Sequence, residues 1–179
     1  MELQIDSNLI TGFAIKKGTV LQIPGGLQSN LYFVKSGLLR SYTIDRKGNE
    51  HVFDFAPEGW MISDYKKLKQ PNELYIDAIE NSVVGIIDRE LYEKELQISD
   101  IAHIENKYNS LQFLNRLEAL QTRIIMLTNY SVIERYEFFI KKYPNITTRI
   151  SQKLIASYLG ITPESLSRVI KIHFNSERQ

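Results

Sequence analysis

Glu164 and Arg168 stand four residues apart in ASYLGITPESLSRVIK, residues 156 to 171, a spacing that puts both on one side of a helix. An arginine can take a guanine edge through two hydrogen bonds, and a glutamate can accept from the amino group of cytosine. Beside them, Thr162, Ser165 and Lys171 are residue types that hold phosphates. The chemistry on offer is the reading of base edges from a phosphate-lined groove. The plainer reading is a packed corner of two helices, which has no need of that mixture of exposed groups.

The elements that must position these side chains can be read from their caps. Ser151 caps a helix over about 152 to 159 whose apolar face is Leu154, Ile155 and Tyr158. Gly160 ends it, because glycine accepts the left-handed backbone of a sharp exit. Thr162 then caps a second helix, with Pro163 in the first position where no amide bond is lost. A turn of about three residues between two helices is helix-turn-helix spacing. It directs Leu166, Val169 and Ile170 onto the first helix and turns Glu164, Ser165, Arg168 and Lys171 away from it. Upstream, Ser131-Val-Ile-Glu134 has the form of a capping box. The helix it opens points Tyr136, Phe139 and Ile140 inward and stops before Pro144.

Before that box the chain carries neither Gly nor Pro from Asp88 to Pro144. Ile104, Tyr108, Leu111, Leu114, Leu117, Leu120, Ile124 and Leu127 recur there at spacings of three and four, one apolar stripe on a long helix. A helix from about 100 to 129 would be about 45 Å long, more than a small β domain can cover. The stripe is therefore expected to meet a second copy of itself across a two-fold axis, the alternative being that it packs wholly on its own chain.

Residues from about 8 to 88 have a different texture. Turn signals (Pro24-Gly25-Gly26, Ser36-Gly37, Lys47-Gly48-Asn49, Pro57-Glu58-Gly59, Pro71-Asn72, Asn81-Ser82) separate segments such as LYFVK, LLRSYTI, HVFDF and SVVGII, rich in aromatic and β-branched residues. This spacing predicts an antiparallel sandwich or closed roll. Arg40, Tyr42, Trp60 and Tyr65 are candidates to line a pocket in it, although aromatics in a small β domain are more often core.

Composition narrows the function. The 179 residues are 43% hydrophobic with a formal net charge of +1, and no run suits a membrane span or a secretion signal, so a cytoplasmic globular protein is expected. Cysteine is lacking, which excludes disulfides, cysteine-ligated iron-sulfur clusters and thiol nucleophiles in this chain. From Lys141 onward seven basic residues face only Glu164 and Glu177, so the tail is basic and the remainder acidic. Of the three histidines, His51, His103 and His173, only the first falls in the β region, which leaves no metal-ligand set of the cupin kind. Asp45 and Glu50 flank a turn, where solvated charges are ordinary. No nucleophile elbow, P-loop or dinucleotide fingerprint is present, and no enzymatic activity, metal or catalytic residue is expected.

The segment ISQKLIASYLGITPESLSRVIK resembles the recognition region of the CRP/FNR family of bacterial transcription regulators, in Ala156, Gly160 and the Glu164–Arg168 pair. LYFVKSGLLRSYTIDRKGNEHVFDFAPEGW resembles that family's cyclic-nucleotide-binding-type β-roll, and the order of elements matches over nearly the whole chain. The resemblance implies an α+β fold. Residues 1–98 would form an antiparallel β-roll or jelly roll with a sensor role, 99–130 a long dimerisation helix, and 131–179 a winged-helix-like helix-turn-helix domain with a truncated wing. It implies a homodimer reading a palindromic site, with Glu164 and Arg168 on base edges, Ser151, Thr162, Ser165 and Lys171 at or near phosphates, and Gln152 and Pro163 completing the DNA-facing set. Double-stranded DNA, a second copy of the chain and RNA polymerase are the implied partners.

Two departures matter. Pro163 stands where some members carry a base-contacting arginine, so the preferred site should differ from theirs. Members that bind cyclic AMP hold it with a glycine, glutamate and arginine-serine or arginine-threonine cassette, whereas this chain has Gly59-Trp60-Met61-Ile62-Ser63-Asp64-Tyr65 and then Pro71-Asn72-Glu73-Leu74. Asp64 could accept from a ribose hydroxyl, but Glu73 would repel the phosphate. Ser63, Asp64, Asn72 and Glu73 thus join the pocket candidates, cyclic AMP is not expected, and any effector is unspecified. The competing function is an effector-sensing or partner-binding module whose last helices dock protein instead of DNA.

Overall fold

The computed structural model describes residues 11–28, 30–64, 66, 69–90 and 102–176, with side chains in the first part of the long helix described only at 114 and from 117 onward. The chain divides into two compact units, Met1–Ser99 and Asp100–Gln179.

The first unit is two four-stranded antiparallel sheets. Its strands are β1 (Gly12–Ile15), β2 (Val20–Gln22), β3 (Asn30–Ser36), β4 (Leu39–Ile44), β5 (Glu50–Ala56), β6 (Met61–Ile62), β7 (Tyr75–Ala78) and β8 (Ser82–Asp88). One sheet runs β1-β8-β3-β6 and the other β2-β7-β4-β5. Consecutive strands thus alternate between sheets at several points, the crossing pattern of a roll. The expected segments LYFVK, LLRSYTI, HVFDF and SVVGII fall in β3, β4, β5 and β8. A strand's side chains alternate between faces, and the inward set from both sheets (Tyr32, Val34, Leu39, Ala56, Ile62, Ile76, Ala78, Val84) packs into one core with Trp60 at its margin. At Gly37, which has φ +94°, any side chain would collide with Ser82. That close approach lets the Ser82 hydroxyl accept from the Leu38 amide at 3.2 Å and joins the β3–β4 turn to β8.

The second unit is helical: α1 (Ala102–Asn129), α2 (Val132–Lys142), a short 3-10 turn (Ile146–Thr148), α3 (Gln152–Leu159) and α4 (Pro163–Ser176). The starts of α2, α3 and α4 follow from side-chain caps. Ser131 and Glu134 form the reciprocal capping box at the start of α2, with the Glu134 carboxylate accepting from the Ser131 amide at 2.7 Å. Phe139 and Tyr143 of this region pack on Tyr158 of α3, with the three ring centroids 5.2 to 5.7 Å apart. These three side chains are fully buried and centre the unit's core. Among the described residues no helix is long and apolar enough to cross a membrane.

Candidate nucleic-acid interface

The turn between α3 and α4 is built as its residue types require. Ser151 Oγ accepts from the Leu154 amide at 3.4 Å and opens α3. Gly160, with φ +66° and ψ 36°, closes it. The Ile161 amide reaches back to the Ala156 carbonyl at 3.0 Å, the six-to-one bond of a Schellman exit. Thr162 Oγ1 then accepts from the Ser165 amide at 3.2 Å and starts α4 at Pro163. Leu166 and Val169 are buried and Ile170 half-buried, so α4 is held by one face.

The opposite face is open. Ser151, Gln152, Thr162, Pro163, Glu164, Arg168 and Lys171 are exposed. Ser165 differs from expectation in being half-buried, and its hydroxyl oxygen accepts from Thr162 Oγ1 at 3.1 Å. Arg168 is lightly held: its Nε donates to the Glu164 backbone carbonyl at 3.4 Å, leaving the guanidinium directed outward from the helix. The Glu164 carboxyl lies below its ordinary pKa, chiefly through its own backbone N–H, then the Thr162 hydroxyl and the charge of Arg168. It is therefore a standing acceptor at neutral pH. Ser167, absent from the expected DNA-facing set, is also exposed, and its hydroxyl donates to Gln152 Oε1 at 3.4 Å across the two helices. Its position three residues after Glu164 on the same helix was the signal available for it.

On α1, Leu114, Leu117, Leu120 and Ile124 are 42 to 62% exposed although all four are large apolar residues. Leu127, the last of the predicted stripe, is instead half-buried, lying 3.3 Å from where a Cβ on Gly160 would stand. The side chains of Ile104, Tyr108 and Leu111 lie outside the described residues.

The pocket candidates of the roll are engaged with its own groups. Arg40, 9% exposed, donates from Nε and Nη2 to Asp77 at 2.8 and 2.9 Å and from Nη1 to Glu50 at 2.6 Å. Burial works against its charge, and the bonds to Asp77 and Glu50 outweigh that effect and raise its pKa. The guanidinium lies 4.1 Å from the Tyr42 ring centre, and Tyr42 stacks on Tyr75 at 5.1 Å. Asp64 accepts from the amides of Glu73 and Leu74 at 2.5 and 2.9 Å, which brings the residues after β6 onto those before β7. Ser63 donates to the Asn30 carbonyl at 2.8 Å, Asn72 to the Gln28 carbonyl at 2.9 Å, and Lys66 pairs with Glu73 at 2.5 Å. Tyr65 lies outside the described residues. His51 bonds to Asp45 at 3.0 Å, and His173 meets Tyr136 edge to face at 5.5 Å. Among the described residues no group of three potential metal ligands gathers.

The chain thus joins, in sequence, a two-sheet roll, a long helix and a helix-turn-helix. The chain is 26% identical over 181 residues to the fumarate and nitrate reduction regulatory protein of Vibrio cholerae, covering 93% of this chain and 70% of that protein. It is 24% identical over 187 residues to the anaerobic regulatory protein of Aggregatibacter actinomycetemcomitans, with 93% and 68% covered. Among solved structures, FixK2 from Bradyrhizobium japonicum matches with a TM-score of 0.78 at 21% identity, over 94% of this chain and 86% of that one. A Crp/Fnr family transcriptional regulator from Eubacterium rectale matches with a TM-score of 0.67 at 23% identity, over 96% and 81%. No family profile matches the chain. Along nearly its whole length the chain is thus similar in sequence to these regulatory proteins, and it shares the fold of the CRP/FNR regulators among the solved structures.

Proposed function

We propose that the chain is a homodimeric, sequence-specific reader of double-stranded DNA whose helix α4 enters the major groove of a palindromic site. The observation that carries this is the open face of α4. Glu164 and Arg168 lie one turn apart, exposed, on a helix fixed from behind by Leu166 and Val169. Arg168 and Glu164 take base edges. Ser151, Gln152, Thr162, Ser165 and Lys171 meet backbone phosphates or the groove wall, and Pro163 limits contact at its position to packing.

The dimer reading draws support from the exposed leucines and isoleucine of α1, which a second copy of the same helix would cover. Its two-fold axis would space the half-sites about one helical turn, roughly 34 Å, apart. The roll, 1–98, acts as the sensor, 99–130 as the dimer helix and 131–179 as the reader. RNA polymerase is the partner through which a DNA-bound regulator of this kind would act in the cytoplasm. The roll is not tuned to cyclic AMP: Asp64 already accepts two backbone amides, and Pro71-Asn72-Glu73-Leu74 offers no arginine for the cyclic phosphate.

Selection of the purified protein against random duplex DNA at near-physiological salt tests the proposal, with Arg168→Ala as control. A palindrome that the variant fails to recover is expected. No enrichment from a folded dimer would favour terminal helices that serve another partner.

A further inference from the structure

The α3–α4 turn is tied to the rest of the helical unit by two arginines that no reading of DNA contact involves. A helix leaves its last carbonyls without intrahelical partners, and those of α3 are met in two ways. The carbonyls of Ala156 and Ser157 receive the amides of the Schellman exit. Those of Tyr158 and Leu159 are met by guanidinium groups. Arg123, on α1, donates from Nη2 to the Tyr158 carbonyl at 2.5 Å, and its guanidinium lies 3.6 Å from the centre of the Tyr158 ring. Arg135, on α2, donates from Nη1 to the Leu159 carbonyl at 3.1 Å, from Nη2 to the Leu127 carbonyl of α1 at 2.8 Å, and from Nε to the Tyr130 carbonyl at 3.1 Å. One planar fork thus joins the end of α1, the α1–α2 link and the end of α3.

Three further features make this a joint with a set angle. The positive charge of each guanidinium sits at the carbonyl end of α3, where the helix dipole favours it. The fork's donors have fixed directions, so α1 cannot rotate against the turn without breaking several charge-assisted bonds together. Gly160 lets the helices come this close, since a Cβ there would stand 3.3 Å from Leu127 Cδ2 and 3.8 Å from Arg135 Nη1. The reading helix begins at Pro163, within five residues of both clamped carbonyls.

We infer that Arg123 and Arg135 are positioning residues that fix the angle between α1 and α4, and thereby the spacing of the two reading helices in the dimer. This rests on the DNA-reading proposal above and adds to it a determinant that touches no base. The clamp selects the distance between half-sites, while the face of α4 selects their sequence.

The test uses the full chain and a set of duplexes carrying the same two selected half-sites, with the central spacer lengthened or shortened one base pair at a time. A control duplex has one half-site scrambled. The wild-type protein is expected to prefer one spacer by about tenfold or more, and Arg123→Lys and Arg135→Lys, which keep the charge but lose the fork, to flatten that preference to within about threefold. Affinity for the control duplex is expected to stay within about threefold of wild type, which a merely structural defect would not permit. Thermal melting of each variant excludes unfolding. An unchanged spacer profile in both variants, or equal loss on every duplex, overturns the clamp while leaving DNA reading intact. Failure of the wild-type protein to bind any duplex overturns the DNA-reading proposal, and the clamp's role with it.

Discussion

Arg40 in the roll and Arg168 on α4 carry the same guanidinium into opposite surroundings. Arg40 is closed between Asp77 and Glu50 under the Tyr42 ring, with its donors directed to groups of its own unit. Arg168 has one long bond to a backbone carbonyl and faces outward. Asp64 and Glu164 repeat the contrast, the first buried and accepting two amides from a neighbouring segment, the second exposed at the start of a helix. Residue type alone does not separate a site from a scaffold. What separates them is whether the polar atoms are already satisfied. By that measure Arg40, Asp77 and Asp64 hold the roll's sheets and loops together, Gln22 Oε1 and Asn72 Oδ1 are buried acceptors there without a hydrogen-bond donor among the described residues, and the exposed chemistry lies on α4.

The sharpest way to break this contrast is to remove a carboxylate from the roll. Asp77→Ala takes from the Arg40 guanidinium the more buried of its two carboxylate partners, the one that accepts from both Nε and Nη2, in a site that is 9% exposed. Removing the more buried of the two partners of a charge of this kind is expected to lower the unfolding free energy by about 3 kcal/mol, read by denaturant titration. A loss below about 1 kcal/mol would mean that the cluster is not architecture and would reopen it as a ligand site. Arg168→Ala is the mirror experiment. It is expected to leave the melting temperature near wild type while weakening the preferred duplex by about 1–3 kcal/mol and relaxing selectivity at one base pair. Equal weakening on all duplexes would make Arg168 a phosphate contact.

The helix ends were legible in the sequence because caps are local. Ser131 with Glu134, Ser151, Gly160 and Thr162-Pro163 each act within four residues, and α2, α3 and α4 begin, and α3 ends, where those residues place them. The turn glycines are legible for the same reason, and the strands fall between them. The Arg40 cluster was not, since Asp77 lies 37 residues away and meets Arg40 only through the pairing of β4 with β7. Its pairing turns a plausible pocket residue into a buried ion pair. Arg123 and Arg135 were less legible still. Their acceptors are backbone carbonyls, which every residue supplies, so no partner residue in the sequence signals them. The half-burial of Leu127 belongs to the same class: helical periodicity assigns it to the stripe, and only the approach of the Gly160 turn draws it off.

Gly160→Ala probes the boundary between the two uses of side chains, because it alters neither a polar group nor a base contact. At φ +66° an alanine is strained, and its Cβ would press on Leu127 at 3.3 Å. A cost of about 1–2 kcal/mol in stability is expected from the backbone alone. If the turn positions α4, the substitution should also weaken duplex binding in the fraction that remains folded. Unchanged binding by that fraction would show that α4 tolerates displacement.

The smallest expected effect is at the Ser131–Glu134 box, and it has a pH signature. The Glu134 carboxyl is held below its ordinary value of 4.5, first by the Ser131 hydroxyl and then by the Ser131 amide. A group whose folded pKa is depressed contributes stability that is present above its unfolded pKa and is lost as pH falls through the folded one. Ser131→Ala should therefore cost about 1 kcal/mol at neutral pH, and the difference from wild type should shrink as the pH is taken below about 4.5. The site is exposed, so the change should be gradual and reduced by salt. Because the box sits at the start of α2, beside the Tyr130 carbonyl that Arg135 takes, the same variant read on the spacer set separates two roles. If the cap only stabilises α2, the spacer preference is kept. If it also fixes the α1–α2 link for the clamp, the preference broadens together with the loss of stability.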